Sequence, residues 1–273
     1  MPDGPSSPGE VALDGYLRER RLTSRYEPFT SGPNPDFVVT HPLCGTVVMD
    51  VAEPQFQLAR ETDGSLHSGF GPNPENRLRR TLDSGRKAAQ AKVAMEAGYP
   101  FVLVLARTYS ELEFMPHYVI GAMFGTPMIS FTFDDDPGRA DPIRMVFGQG
   151  ARLQESLNTR FSAVAVVSGF NPGLRRVEQI AESRMHHDMN PMEKVATFIN
   201  TVQKEQEKGA FQERDEIHRL EIFHNPFASI LLSMEFAGPF DDQWTGNRQL
   251  GIYYEGAWGT RGSAVPGRTA LKV

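Results

Sequence analysis

Two aspartates, Asp36 and Asp50, have the residue type and the spacing to do chemistry together. Asp36 leads a run of β-forming residues, 37–40, and Asp50 lies near the end of a second such run, 46–51. Breaker residues at 42–45 separate the runs, so the pattern predicts two short strands joined by a turn. Because cross-strand neighbours in a hairpin lie roughly 5 Å apart, we expect that the two carboxylates can share a divalent metal ion.

Each aspartate also has an ordinary interpretation, in which it caps a turn or faces solvent. Against this, an aspartate that follows Val-Val-Met, as Asp50 does, is costly to bury unless it is paired or binds a cation. Taken one at a time, the two residues leave both interpretations open.

The composition is that of an ordinary globular protein. The chain has 273 residues, of which 40% are hydrophobic and 23% charged, which favours one domain with an insertion. No apolar run is long enough to span a bilayer and no signal-like pattern opens the chain, so we expect a cytoplasmic protein without a membrane partner. The single cysteine, Cys44, excludes an internal disulfide. The net charge of −6 argues against a broadly basic surface for nucleic acid, but it is compatible with a local basic groove.

Periodicity and breaker residues divide the chain into four parts. We predict a disordered tail at 1–9, an α/β core at 10–170 and a helical insertion at 171–215. A C-terminal strand and an irregular segment, 216–273, are expected to complete the core.

Several elements of the predicted core surround the two aspartates. A helix is expected over about 10–22, followed by a short extended segment that carries Glu27. After the hairpin and a long loop, a second helix is expected over 74–98, with a kink or a restart at Gly85. The continuous apolar run 101–106 is typical of a strand buried on both faces.

This order of elements and acidic residues resembles the PD-(D/E)XK nuclease superfamily, which has the restriction-endonuclease-like fold. The resemblance covers about residues 10–106. The matching positions are 26–28 (Tyr-Glu-Pro), 35–37 (Pro-Asp-Phe), 47–51 (Val-Val-Met-Asp-Val), Gln90 on the following helix and the strand 101–106. The resemblance implies an α/β fold with a central mixed β-sheet flanked by helices.

The resemblance also implies an activity, which is the Mg²⁺- or Mn²⁺-dependent hydrolysis of phosphodiester bonds in DNA. Asp36 and Asp50 would hold the metal, and the Val51 carbonyl would be a third ligand, because Mg²⁺ prefers oxygen donors. Glu27 would position that site or bind a second ion, and Gln90 would complete the catalytic set.

One residue departs from the family pattern. The motif places a lysine two residues after the second acidic residue, where this chain has Ala52. Positions 50 and 52 of a strand share a face, so either the cation comes from elsewhere or catalysis is lost. On a continuous helix Arg86 flanks the buried face, whereas Lys87 points away unless Gly85 resets the helical phase.

Two functions therefore follow from the sequence. The first is a metal-dependent DNA nuclease, of the kind found in mobile-element and anti-phage defence systems. The second is a nuclease-like scaffold or DNA-binding subunit without catalysis, and a hydrolase of unrelated fold is a weaker third interpretation. Protein partners or a homo-oligomer are compatible with both of the first two. Arg79, Arg80 and Arg86 would either contact the phosphate backbone or form a solvated helix face.

Overall fold

The structure is a computed structural model. It describes residues 4–28, 33–54, 74–106, 116–125, 127–130, 144–147, 150–186, 188–212, 216–246 and 253–255. The predicted long loop after Pro54 lies outside the described residues.

The chain divides into two compact units. The first comprises Met1–Val167 and Leu220–Val273, and the second comprises Ser168–Arg219. The predicted helical insertion, 171–215, lies within the second unit.

The described elements of the first unit are both helices and strands. Its helices are α1 (Pro8–Glu19), α2 (Pro74–Leu82), α3 (Gly85–Glu96) and α4 (Pro116–Phe124). Its strands are β1 (Thr23–Tyr26), β2 (Phe37–His41), β3 (Gly45–Ala52), β4 (Phe101–Ala106), β5 (Pro127–Ser130), β6 (Arg144–Phe147), β7 (Ala163–Phe170), β8 (Ile217–His224), β9 (Asp242–Gly246) and β10 (Tyr253–Glu255), of which β7 and β8 extend into the second unit.

Eight of these strands form one sheet, in the order β1-β2-β3-β4-β7-β8-β9-β10. Strands β1, β2 and β3 pair antiparallel, whereas β3, β4 and β7 pair parallel. Strands β5 and β6 form a separate antiparallel pair. The predicted α/β class with a central mixed sheet is confirmed.

Helices cover both faces of the sheet. Three residues of α1, Leu13, Tyr16 and Leu17, pack on one face against side chains such as Met49 and Val51. Helices α2, α3 and α4 pack on the other face, in a cluster whose members are Val48, Ala52, Leu78, Leu82, Ala91, Ala94, Phe101, Leu103, Leu105, Val119, Ile120, Ala122, Met123, Phe124, Leu153, Phe161, Val164, Val166 and Phe223. Because side chains alternate along a strand, Asp50 lies on the same face as Ala52 and is directed towards α3.

The hairpin formed by β2 and β3 has the predicted shape. Phe37 pairs with Met49 and His41 pairs with Gly45, so the turn falls at 42–44. One step beyond Phe37, this register sets Asp36 opposite Asp50.

Helix α1 begins earlier than predicted. The Ser7 hydroxyl caps the helix by accepting from the Glu10 N–H, and the Glu10 carboxylate accepts from the Ser7 N–H, which completes a capping box. Gly9 is buried in the first turn, and a Cβ atom there would lie 2.5 Å from the Ala106 Cβ. The prediction of a disordered tail over 1–9 is therefore wrong for its last residues, because a capped helix end is packed against β4.

The helix predicted over 74–98 is two helices. Helix α2 ends at Leu82, and α3 restarts at Gly85 with Ser84 at its N-cap. The restart breaks the continuous helical phase, so the residues after Gly85 face directions that one long helix would not give them.

The second unit contains two helices, α5 (Pro172–Arg184) and α6 (Pro191–Glu207). Asn171 caps the first helix, and Asn190 with Glu193 forms a capping box on the second. Asn190 and Pro191 therefore mark the start of α6. In the part of the chain that the structure describes, no helix is long and apolar enough to cross a membrane.

Candidate catalytic and metal-binding site

The candidate site forms at the end of β3, around Asp50. The Asp50 side chain is completely buried, and the Lys87 ammonium forms an ion pair with its Oδ2 atom. Lys87 Nζ also donates to the Val51 carbonyl oxygen at 2.6 Å. The lysine therefore comes from the first turn of α3 and reaches two consecutive residues of the strand.

Gln90, one turn further along α3, holds the other oxygen of Asp50. Its Nε2 atom donates to Asp50 Oδ1 at 2.8 Å and to the Asn34 carbonyl at 2.6 Å. Its Oε1 atom is buried and has no hydrogen-bond partner among the described residues. The Gln90 side chain thus links the Asp50 carboxylate to the chain segment that leads into β2.

Asp36 completes the pair of aspartates. Its Oδ2 atom accepts a hydrogen bond of 2.6 Å from the Val51 backbone N–H. Its carboxyl group lies within hydrogen-bonding reach of the Asp50 carboxyl group. The predicted convergence of Asp36 and Asp50 is confirmed as geometry, and their role as metal ligands stays a prediction.

Both aspartates are difficult to ionise. Burial raises the pKa of Asp50 to about 7, and the nearby Asp36 charge acts in the same direction, while Lys87 opposes the rise. Burial also raises the pKa of Asp36, against the Val51 N–H bond and the Lys87 charge, which lower it. A single lysine does not neutralise two buried carboxylates, so a divalent cation would relieve the remaining repulsion.

Glu10 of α1 is a third acidic residue beside the pair. Its Oε2 atom accepts hydrogen bonds from the backbone N–H groups of Ser6 and Ser7 and, at 2.9 Å, from the Tyr26 hydroxyl. Burial opposes its ionisation, but these bonds and the Lys87 charge together lower the pKa of Glu10. The Glu10 charge in turn raises the pKa of Asp36, because a like charge disfavours its ionised form.

Glu27, the glutamate that we predicted for the site, has a different environment. Its backbone N–H donates to the Asp36 carbonyl at 2.8 Å, so its backbone adjoins the pair. Its φ angle is 42° and its side chain is exposed. Glu10, which sequence reasoning missed, has a half-buried carboxylate that accepts three hydrogen bonds. The pattern Ser7-x-x-Glu10 before an apolar run indicated a helix start, but nothing in it indicated a neighbouring aspartate.

Lys87 is the second residue that the prediction did not assign. A cation in the first turn of a helix is unfavourable, because the helix dipole is positive there. Such a position indicates that the charge has an acidic partner, and the restart at Gly85 supplies the direction towards β3. The first-turn position of Lys87 and the restart at Gly85 are both present in the sequence. The restart, however, depends on where α2 ends.

The arginines of α2 and α3 separate into two groups. Arg79 is directed inwards, where it pairs with Glu75 and donates to the Gly121 carbonyl, and so ties α2 to α4. Arg80 and Arg86 are exposed. Only the latter two of the three arginines predicted to touch phosphate are therefore on the surface.

The donor set fits a hard divalent cation. Within the described residues, no group of three or more His, Cys, Asp or Glu side chains is arranged to hold a metal ion. The candidate ligands are two carboxylates and the Val51 carbonyl. These are oxygen donors of the kind that Mg²⁺ and Mn²⁺ accept, and Mg²⁺ retains several waters when it binds through so few protein ligands.

The fold and the site together define an α/β protein with paired buried aspartates and a lysine supplied by the following helix. A scan of protein-family models and searches of curated proteins and of solved structures gave no match to this chain.

Proposed function

We propose that the protein is a Mg²⁺- or Mn²⁺-dependent nuclease with a restriction-endonuclease-like core that hydrolyses phosphodiester bonds of DNA. The observation that supports this most directly is the meeting of Asp36, Asp50, the Val51 carbonyl and the Lys87 ammonium at the end of β3. The order α1-β1-β2-β3-α2/α3-β4, with β3 and β4 parallel, also agrees with that core.

In this proposal the two aspartates and the Val51 carbonyl hold the metal ion. When bound, the ion lowers the pKa of a water molecule and stabilises negative charge on the phosphate. Asp36 is positioned by the Val51 N–H, and Asp50 is positioned by Gln90. These bonds fix the carboxylate oxygens before substrate arrives, which reduces the reorganisation that the reaction requires.

Lys87 takes the role of the motif lysine, whose position in the sequence holds Ala52. Its ammonium group lies beside Asp50, at the place where the attacking water and the developing phosphate charge would need a cation. A cation in such a position stabilises transition-state charge more strongly than the same cation would in bulk water, because the site excludes solvent. Glu10 rather than Glu27 is the acidic residue best placed to position this cluster.

A second candidate function is a nuclease-like DNA-binding or scaffold subunit without catalysis. Two observations favour it. Lys87 already contacts the oxygen atoms that the metal would need, and the net charge of −6 is unusual for a protein that grips DNA over a wide surface. Protein partners in a larger complex would then supply the affinity for DNA.

A cleavage assay separates the two functions. Linear, circular and single-stranded DNA, and RNA, would be incubated with the protein and Mg²⁺ or Mn²⁺, beside Asp50→Ala, Lys87→Ala and Lys92→Ala. Lys92 is the matched control, because it lies on the same helix but is exposed and pairs with Glu96. Cleavage by the wild type and Lys92→Ala alone supports the nuclease. Binding of DNA without cleavage in all four proteins supports the scaffold.

A further inference from the structure

We infer that Lys87 competes with the metal ion for one position. Its ammonium group occupies the position that the ion would take, and the ammonium must be displaced when the ion binds. The inference rests on the proposed function, because it concerns the same site. Lys87 Nζ contacts two oxygen atoms, Asp50 Oδ2 and the Val51 carbonyl oxygen. Both belong to the groups proposed as metal ligands.

Both oxygens of the Asp50 carboxylate are already engaged. Oδ1 accepts from Gln90, and Oδ2 is paired with Lys87. The Asp50 side chain is fully buried and that of Lys87 is 13% exposed, so water does little to screen a second cation from the ammonium. A divalent ion that binds Oδ2 therefore cannot leave Lys87 where it is.

The displaced ammonium has a second acidic partner. The Lys87 charge reaches the Glu10 carboxylate and favours its ionised form. The Glu10 carboxylate accepts hydrogen bonds from the Ser6 and Ser7 N–H groups and from the Tyr26 hydroxyl, so it does not move to meet the lysine. A lysine side chain is flexible, and we expect it to turn from Asp50 towards Glu10 when the ion enters.

This exchange has a consequence for metal loading. Without the ion, Lys87 neutralises a carboxylate that is costly to leave charged and unpaired. Competition from Lys87 lowers the metal affinity. Two aspartates and a carbonyl without the lysine would bind the ion more tightly.

The test is a comparison of Mn²⁺ binding by isothermal titration calorimetry at pH 8, for the wild type, Lys87→Gln and Lys92→Gln. Glutamine keeps a donor for the Val51 carbonyl but removes the charge. We expect Lys87→Gln to bind Mn²⁺ at least about tenfold more tightly, because a like charge in a poorly screened site is removed. The exposed control, Lys92→Gln, should bind within about twofold of the wild type.

A second measurement follows the wild-type protein, and the Lys87→Gln variant serves only to assign the signal. The ¹³Cε resonance of Lys87, assigned by its loss in Lys87→Gln, should shift when diamagnetic Mg²⁺ is added, while that of Lys92 should not. Equal or weaker Mn²⁺ binding by Lys87→Gln, or an unmoved Lys87 resonance under saturating Mg²⁺, would overturn the inference alone. Absence of binding in all three proteins would overturn the metal site itself, and the inference with it.

Discussion

The Lys87 ammonium contacts the Asp50 carboxylate, although the two residues belong to different elements and the strand has Ala52 two residues after Asp50. The pairing requires α3 to restart at Gly85 and to pack its first turn over the end of β3. Tertiary packing thus places the Lys87 ammonium beside Asp50, whereas β3 itself has only the methyl group of Ala52 near that position.

The raised pKa of Asp50 predicts a pH-dependent cost to stability. The pKa rises from an unfolded value of 3.8 to about 7, so the folded protein binds more protons than the unfolded chain between those values. Ionisation of Asp50 should therefore cost stability as the pH rises from about 4 to 7, by an amount on the order of 3 kcal/mol.

Asp50→Asn isolates this effect. Burial lowers the pKa of His41, His117 and His224, which makes stability rise with pH over part of the same range. The quantity to measure is thus the difference in urea-unfolding free energy between wild type and Asp50→Asn, in EDTA, at pH 4.5 and pH 8. The wild type should lose stability relative to the variant as the pH rises. A difference that does not change with pH would contradict the prediction.

Gly9 is predicted to tolerate no side chain. A Cβ atom would lie 2.5 Å from Ala106 Cβ and 2.8 Å from Val51 Cγ1, so Gly9→Ala should destabilise the protein by about 1–3 kcal/mol. Gly85→Ala is the matched control, because a Cβ atom there has nothing within 4 Å. That control should be neutral or stabilising by up to about 1 kcal/mol. Thermal unfolding of both variants checks the contrast, and equal effects would argue against the packing of α1 on β3 and β4.

Gln90 is predicted to stabilise the site through its amide nitrogen. Gln90→Leu removes the bonds to Asp50 and to the Asn34 carbonyl, and it should cost about 1–3 kcal/mol. Gln154→Leu alters an exposed glutamine bonded to the Ala151 carbonyl, and it should change stability by less than about 0.5 kcal/mol. Chemical denaturation at pH 8 compares the two. A loss no larger for Gln90→Leu than for Gln154→Leu would show that the amide bonds contribute little.

Glu10 and Glu27 are alternative candidates for the acidic residue that positions the two aspartates. Paired substitutions distinguish them. Glutamine also serves in a capping box, so Glu10→Gln should keep the start of α1 while it removes the charge. If Glu10 positions the cluster, this variant should lose about tenfold or more in Mn²⁺ affinity and in cleavage. Glu27→Gln, on an exposed side chain, should lose less than about twofold. The reverse order would restore the sequence-based assignment of Glu27.

Much of the fold could be predicted because local patterns were strong. The run 101–106 is apolar throughout and forms β4 over the same residues. The breaker residues between the β-forming runs fix the hairpin turn, and period-two alternation then sets Asp36 and Asp50 on one face. The start of α1 was placed too late because the Pro, Gly and Ser residues before Glu10 are typical of a tail, whereas here they build a helix cap.

The sequence by itself determined the hairpin, the buried strand beside it and the convergence of two aspartates, because these depend on neighbours along the chain and on strand periodicity. Only the tertiary structure decided which cation and which glutamate join them. The direction of Lys87 depends on the break between α2 and α3, and the position of Glu10 depends on α1 packing across the sheet. Contacts between distant elements carry no periodic signal, so the partners of Lys87 and Glu10 could be identified only in the folded chain.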